Sequence, residues 1–316
     1  MKALPFADRL ALPLIAAPML RVSGLELVAA ACAAGVVGAF PTANCRDHAE
    51  FATWLDRLDE AAAAARAAGR PHAPYCPNLI MRRDPATLAA DIDVITAHAC
   101  ELVITSVGSP RAVVPTLHAA GCQVYADVAT LRHVDKAIAD GVDGLVLLAA
   151  GAGGQTGWLN PFAFVRAVRA RWDGPVVLAG GIGDAVALRA AVALGCDLGY
   201  MGTRFIATQE SLASAAYKRM LVDSSMDDVV LSSAFTGLPT SFLAPSIAAA
   251  GLDLASLPEK PDAAEARARF GPAGSSGARR WADVWSAGHS VSAVTDVPPV
   301  AALVARLRTE YARASA

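Results

Sequence analysis

Two glycine turns, at residues 179–182 and 202–205, are the segments of this 316-residue sequence best suited to binding chemistry. Each turn directly follows a short apolar run, and about one strand and one helix separate the two. Glycines let backbone N–H groups approach an anion closely. In a (β/α)8 barrel, the loops after the last two strands commonly form a phosphate site. The sequence therefore predicts a phosphate-bearing ligand at Gly180, Gly181, Gly202 and Thr203.

A third glycine-rich segment, residues 150–157, follows another apolar run and contains four glycines. A backbone with so few side chains can lie flat against a planar ligand. Loops after barrel strands face the active site, which favours this interpretation over a flexible surface loop. We therefore expect Ala152, Gly153 and Gly154 to run along a bound molecule, with Gln155 beside it.

Eight short apolar runs predict the strands that position these loops. They span residues 12–18, 36–41, 75–80, 102–107, 123–128, 144–149, 176–179 and 198–201. Helical segments alternate with them, and eight strand–helix units favour a closed (β/α)8 TIM barrel of the α/β class. A doubly wound sheet would usually carry a glycine fingerprint after its first strand. The first strand here is followed by Ala17, Pro18 and Met19 instead.

Several helix starts are readable from capping residues. Asp84, Ser109 and Asn160 each precede a proline, and Ser23 with Glu26 predicts a capping box for the first helix.

The strand–helix rhythm stops at about residue 207, which predicts three regions. Residues 1–206 form the barrel and its ligand site. Residues 207–285 form a mainly helical insertion after the eighth strand, placed to overhang the barrel mouth. Residues 286–316 carry a last helix that closes the barrel.

Composition excludes several classes of function. The chain is 54% hydrophobic with a net charge of −2, and it has no basic block of the kind that nucleic-acid binding requires. No apolar run reaches the length of a membrane span, and no signal peptide is visible. Six scattered cysteines lack the spacing of a zinc site or a disulfide framework. We expect a cytoplasmic protein with reduced thiols, no bound metal and a possible homodimeric state.

Taken together, the motifs resemble the nitronate monooxygenase family (2-nitropropane dioxygenase-like proteins), which are flavin-dependent TIM barrels. The matching segments are residues 17–19, 77–79, 151–157, 179–182, 201–205 and 285–288. The resemblance implies a non-covalent FMN, with its phosphate on the two glycine turns and the Thr203 hydroxyl as an extra donor. It also implies that Asn78 hydrogen-bonds toward the flavin and that Ala17, Pro18 and Met19 line the flavin ring.

The sequence departs from the family pattern at Gln155, where the family has a histidine that is taken as the catalytic base. A carboxamide cannot accept a proton at neutral pH, although it can orient a substrate through hydrogen bonds. Among the histidines, His133 and His289 are the candidates to reach the mouth. Of the other four, His98 and His118 are expected at the opposite face of the barrel, and His48 and His72 at the surface. Asp127, at the end of the fifth strand, is the expected carboxylate of the site, orienting a substrate or a ribityl hydroxyl.

Four functional hypotheses remain open at this point. The leading hypothesis is an FMN-dependent oxidoreductase that oxidises alkyl nitronates with O2 to carbonyl compounds and nitrite. The first alternative is an NAD(P)H-dependent flavin reductase acting on a quinone or enoyl acceptor. The second is a non-redox barrel such as an aldolase, although no predicted strand carries the lysine such enzymes use. The third is a flavin-binding protein without activity.

Overall fold

A computed structural model of the chain describes residues 4–98, 100–271 and 274–314. Within them the chain forms eleven strands and twelve α-helices. The strands are β1 (Leu14–Ala16), β2 (Val37–Pro41), β3 (Tyr75–Ile80), β4 (Leu102–Ser106), β5 (Gln123–Val128), β6 (Gly144–Leu148), β7 (Gly154–Gln155), β8 (Val176–Ala179), β9 (Leu198–Met201), β10 (Val229–Ser232) and β11 (Thr240–Leu243). The helices are α1 (Leu25–Ala33), α2 (His48–Ala67), α3 (Pro85–Ala97), α4 (Val114–Ala119), α5 (Leu131–Ala139), α6 (Pro161–Arg169), α7 (Ala185–Leu194), α8 (Thr203–Ile206), α9 (Ala215–Asp223), α10 (Ala244–Ala249), α11 (Ala263–Phe270) and α12 (Val300–Arg313).

Strands β1 to β6, β8 and β9 close into a parallel barrel, which confirms the predicted TIM barrel. Ile15 of β1 pairs with Val37 of β2 on one side and with Tyr200 of β9 on the other, so the sheet has no free edge. Strands β3, β5, β8 and β9 have the predicted bounds, and the other four are shorter by one to four residues. The closed ring rules out the doubly wound alternative.

The barrel interior is filled by apolar side chains, among them Cys76, Tyr125 and Val146. Successive side chains of a strand point to opposite faces, so residues two positions further along share the same face. The interior positions therefore continue at the carboxyl ends of the strands as a floor, which we define as Asn78, Ser106, Asp127, Leu148 and Tyr200. Apart from Leu148, the side chains thus change from apolar to polar at the layer where the barrel opens.

The helix starts follow the capping pattern in part. The Asp84 carboxylate accepts a hydrogen bond from Thr87 N at 2.9 Å, and Asn160 caps α6 in the same way, as predicted. The Ser109 prediction is wrong, because α4 begins only at Val114. The Ser109 hydroxyl donates to the Asp140 carboxylate instead.

The insertion, residues 207–285, contains helices α9, α10 and α11, and also two strands that the sequence analysis missed. Strands β10 and β11 form an antiparallel hairpin, and β11 also pairs with β7. Thr240 lies opposite Gln155, and Ser241 lies opposite Gly154. The insertion is therefore joined to the glycine-rich loop after β6 by a shared three-stranded sheet.

The last helix, α12, packs against α7 and α1, in the position of an eighth barrel helix. The buried Arg204 guanidinium, which follows β9, pairs with the Asp296 carboxylate and donates to the Asp296 carbonyl at 3.0 Å. This contact joins the barrel rim to the C-terminal segment. None of the described helices is both long and apolar enough to cross a membrane.

A buried ion pair links α6 to the loops before β8 and β9. Arg169 pairs with Asp197, and both side chains are at most 10% exposed. The guanidinium also donates to the Gly195 and Gly174 carbonyls, each at 2.6 Å. The Asp197 carboxylate in turn accepts from Val176 N at 2.8 Å, so one cluster fixes the entry to both strands.

We expect Arg169→Ala to lower the free energy of unfolding by about 3 kcal/mol, because it leaves the buried Asp197 charge without its cation and with the Val176 N–H as its remaining donor. Urea unfolding followed by circular dichroism measures the change. The matched control is Arg171→Ala, which removes a solvent-exposed pair with Asp135 and should cost less than about 1 kcal/mol. Equal losses in the two variants would contradict the assignment.

Candidate active site

A cavity of about 1200 Å³ opens at the carboxyl ends of the barrel strands. Except for His289, the site residues predicted from the sequence line it. They are Ala17, Pro18, Met19, Asn78, Asp127, His133, Ala152, Gly153, Gly154, Gln155, Gly180, Gly181, Gly202 and Thr203. The structure thus brings together residues that lie up to 186 positions apart in the chain, from Ala17 to Thr203.

The two predicted phosphate turns lie side by side in this cavity. Gly180 and Gly181 have φ angles of +128° and +75°, which favour glycine. A Cβ at Gly180 would stand 2.9 Å from the Ala150 carbonyl oxygen. Gly202 differs, because its φ is −100° and the nearest atom to a Cβ there would be Met19 Sδ at 3.5 Å. The protein itself therefore does not require glycine at Gly202, whereas a ligand approaching its backbone would.

The glycine-rich loop after β6 is clasped by the segment before the last helix. Gly151 O accepts from His289 N at 2.9 Å. A Cβ at Gly153 would lie 2.7 Å from Gly288 N, so the two backbones touch. Thr203 Oγ1 accepts from Gly288 N at 2.9 Å, which leaves the hydroxyl proton available to a ligand, as the predicted donor role requires. We call these contacts the glycine clasp.

The loop that carries Ala17, Pro18 and Met19 is held by two side chains that the sequence analysis did not assign to the site. Ser23 Oγ donates to Ala17 O at 3.2 Å and accepts from Met19 N at 3.0 Å. It does not cap α1, whose N-cap is Gly24, so the capping-box prediction is wrong. Asn44 Nδ2 donates to Met19 O at 3.0 Å and to Ser23 O at 2.9 Å. Both are positioning residues.

Asn78 is buried in the floor and already has partners there. Its Nδ2 donates to Ile104 O at 3.1 Å and to Ser106 Oγ at 3.2 Å. Because both amide protons are used, any hydrogen bond toward a ligand must be accepted by Oδ1, which Ser106 Oγ approaches at 3.3 Å. The amide therefore offers the cavity an acceptor.

Asp127 is the floor residue with unsatisfied polarity. Its Oδ1 is buried and has no hydrogen-bond partner among the described residues. Burial raises the pKa of this carboxyl to about 7, and no cation offsets the effect. The same carboxyl contributes to a raised pKa of Tyr200, the neighbouring floor residue. At neutral pH a large fraction of Asp127 is therefore protonated and able to donate a hydrogen bond.

The raised pKa of Asp127 predicts a specific pH dependence of stability. The folded protein keeps this proton up to about pH 7, whereas the unfolded chain loses it near pH 4, so folding stability falls as pH rises between these values. We expect Asp127→Asn to gain stability relative to the natural chain by about 2–4 kcal/mol from pH 4 to pH 8. Parallel urea titrations across this range measure it. A difference that does not vary with pH would contradict the raised pKa.

Gln155 and His133 both line the cavity, on the segments that follow the neighbouring strands β6 and β5. Gln155 is half-buried in β7, with its backbone paired to Thr240. His133 is exposed at the start of α5, and its Nδ1 accepts from Ala129 N at 3.4 Å. His289 is exposed and does not line the cavity, although its backbone belongs to the glycine clasp.

The other four histidines all lie outside the cavity. His48, His98 and His118 each lie against a carboxylate. His72 is buried rather than exposed, so that expectation was wrong.

The insertion closes one side of the cavity. We define the insertion wall as Leu231, Leu238, Ala263, Arg267, Arg280 and Trp281. Trp285, next to the glycine clasp, also lines the cavity and stacks on Tyr217 with ring centroids 5.0 Å apart. The described residues contain no group of three or more histidine, cysteine, aspartate or glutamate side chains that could hold a metal ion.

The fold and the site define a (β/α)8 barrel with a glycine-lined cavity at its mouth, and comparison with known proteins gives the family. The family model described as nitronate monooxygenase matches residues 7–310. The chain therefore belongs to the nitronate monooxygenase family, a family of oxidoreductases, as the resemblance predicted.

Individual proteins are similar to part or all of the chain. The chain is 31% identical over 180 residues to a nitronate monooxygenase of Paraburkholderia phytofirmans, covering 54% of this chain and 48% of that protein. It is 26% identical over 230 residues to (3aS,4S,5R,7aS)-5-hydroxy-7a-methyl-1-oxo-octahydro-1H-indene-4-carboxyl-CoA dehydrogenase of Mycobacterium tuberculosis, covering 72% and 61%. The chain thus spans about half to three fifths of these curated relatives. The structure of FabK from Thermotoga maritima shares the fold, with a TM-score of 0.80, 22% identity and coverage of 100% and 98%.

Proposed function

We propose that the protein is an FMN-dependent oxidoreductase that oxidises alkyl nitronates with O2 to carbonyl compounds and nitrite. The observation that carries this proposal is the pair of adjacent glycine turns opening on one cavity, in a chain of the nitronate monooxygenase family. The overall reaction balances when two nitronates and one O2 give two carbonyl compounds and two nitrites.

The cavity residues fit a bound FMN. Gly180, Gly181 and Gly202 form a backbone cradle, and the Gly202 side is open where a phosphate would lie. Thr203 retains a hydroxyl proton for the same anion. Ala17 and Met19, held by Ser23 and Asn44, offer an apolar edge to the flavin ring. Bound FMN supplies the redox chemistry, accepting electrons from the substrate and passing them to O2.

The residues of the chain bind and orient the substrate. Gln155 can hydrogen-bond to a nitronate or a carbonyl group, but it cannot remove a proton. Protonated Asp127 can donate a hydrogen bond into the cavity, which suits an anionic nitronate better than an ionised carboxylate would. This arrangement favours a preformed nitronate over a neutral nitroalkane, since the nitroalkane must first lose its α-proton.

A substitution at Gly202 tests the FMN site. We expect Gly202→Ala to fold with an unchanged melting temperature in the absence of FMN, because a methyl group there has room and φ is suitable. The same methyl group would collide with the phosphate, so FMN affinity should fall at least about tenfold. Fluorescence titration of FMN and thermal melts measure the two effects. Unchanged FMN affinity would contradict a phosphate at this turn.

Substrate preference tests the reaction. We expect propyl-1-nitronate to bleach the flavin absorbance of the FMN-loaded protein without oxygen, and to yield nitrite in air. Neutral 1-nitropropane should react far more slowly because no base stands at Gln155. The variant Gln155→His should raise the rate with 1-nitropropane at least about tenfold, the low end of general-base catalysis being about a hundredfold. Gln155→Asn is the matched control and should show no such gain.

A nitronate that leaves the flavin spectrum unchanged would overturn the nitronate reaction. Failure to bind FMN at all would overturn every flavin-dependent reading. A gain with Gln155→Asn as large as that with Gln155→His would contradict the argument from the missing base.

The missing base also supports a second candidate, an NAD(P)H-dependent flavin reductase acting on a quinone or enoyl acceptor. Such a reductase takes its hydride from a dinucleotide and has no need of the family histidine. The cavity of about 1200 Å³ exceeds the volume of about 300–1000 Å³ usual for small-molecule sites, so it has room for a ligand beside the flavin. Anaerobic reduction of the flavin by NADPH rather than by a nitronate would favour this candidate.

A further inference from the structure

The insertion wall carries two arginines that the proposed reaction does not use. Arg280 Nη1 donates to Phe235 O at 2.9 Å, which occupies one of the five N–H groups of the guanidinium. Arg267 lies on α11, is exposed and lines the same cavity. Within the described residues neither of them forms an ion pair, whereas the adjacent Arg279 pairs with Asp283.

The two guanidiniums also repel each other. Burial lowers the pKa of Arg280, and the positive charge of Arg267 lowers it further. Holding two like charges on one cavity wall costs free energy unless an anion joins them. Guanidinium groups bind phosphates through paired hydrogen bonds, so two of them on one wall form a suitable phosphate site.

The charge of the whole cavity agrees with an anionic ligand. Arg82 and Lys136 line it together with the two wall arginines, against the carboxyls of Asp127 and Asp140. Four cationic side chains outnumber two carboxyls, so the described lining is net positive in a chain of net charge −2. Such a mouth attracts anions from solution.

Large apolar side chains stand exposed in the same cavity. Trp158 is 79% exposed and Leu231 is 59% exposed, and both line the cavity. An indole face stacks well on a planar heteroaromatic ring. A nucleotide-binding site typically combines arginines, which can bind the phosphates, with an exposed aromatic ring, which can stack on the base.

We propose that the insertion wall binds the phosphorylated adenosine end of a second ligand, with Arg267 and Arg280 on its phosphates and Trp158 against its adenine. Two kinds of molecule carry this group: a nicotinamide dinucleotide, which would deliver electrons, and a coenzyme A thioester, which would be the substrate. The assignment rests on the proposed flavin site only in that the reactive end of this ligand would reach the flavin.

Binding to the FMN-loaded protein tests the site directly. Isothermal titration calorimetry with NADPH, NADH and coenzyme A gives three dissociation constants without any turnover. We expect at least one probe to bind with an affinity that weakens as salt is added. Arg267→Gln should weaken that probe at least about tenfold, as loss of a charge-assisted contact requires.

The matched control is Arg269→Gln, on the same helix. Arg269 lies over the Phe270 ring and does not line the cavity, so this variant loses the same charge without touching the site. Its probe affinity should stay within about twofold of the natural chain. Trp158→Ala should weaken the probe as well, and retained FMN absorbance shows that each variant is folded.

The three probes distinguish the two kinds of ligand. Preference for NADPH or NADH identifies a reductant site, and preference for coenzyme A identifies a substrate-carrier site. Equal loss in Arg267→Gln and Arg269→Gln, or no binding of any probe, would overturn the nucleotide site. Binding of a probe by a protein that does not react with nitronates would support this site while overturning the proposed nitronate reaction.

Discussion

The glycine clasp is the contact on which the candidate site depends. It brings the loop after β6 against the segment before α12, and Thr203 joins the loop after β9 to the same point. The backbones at Gly153 and Gly288 touch so closely that neither position has room for a side chain. Three stretches far apart in sequence are thereby joined at one edge of the cavity. The clasp therefore fixes the loop after β6 against the loop after β9, which carries one of the two glycine turns.

Much of the barrel could be read from the sequence because its signals are local. Apolar runs give the strands, and β3, β5, β8 and β9 fall at their predicted bounds. The sequence analysis did not predict the three-stranded sheet of β10, β11 and β7. Strand β7 lies about 75 residues before the hairpin and is only two residues long, and no local pattern marks its pairing with β11. The roles of Asn44 and Ser23 were not predicted for a related reason. Each side chain hydrogen-bonds to the backbone of a loop, and sequence periodicity does not describe loops.

The polar groups of the site divide into anchored and free ones. Asn78 donates both amide protons to protein acceptors, Ile104 O and Ser106 Oγ, so its side-chain conformation is fixed before a ligand arrives. Asp127 Oδ1 is buried without a hydrogen-bond partner among the described residues, and an unsatisfied buried acceptor of this kind lowers the stability of the folded protein. The floor thus contributes a titratable carboxyl, Asp127, whereas the loop after β6 contributes a carboxamide, Gln155, which does not titrate.

The sheet shared by β7 and the insertion has a mechanical consequence. Gln155 is paired through its backbone to Thr240, so residues 207–285 cannot swing outward as an independent flap without pulling on the strand that carries Gln155. Movement of the insertion to admit a ligand and the orientation of the Gln155 carboxamide are therefore coupled. A substitution in the hairpin that weakens the pairing of β11 with β7 would therefore change substrate selectivity, even though the substituted residue contacts no bound molecule.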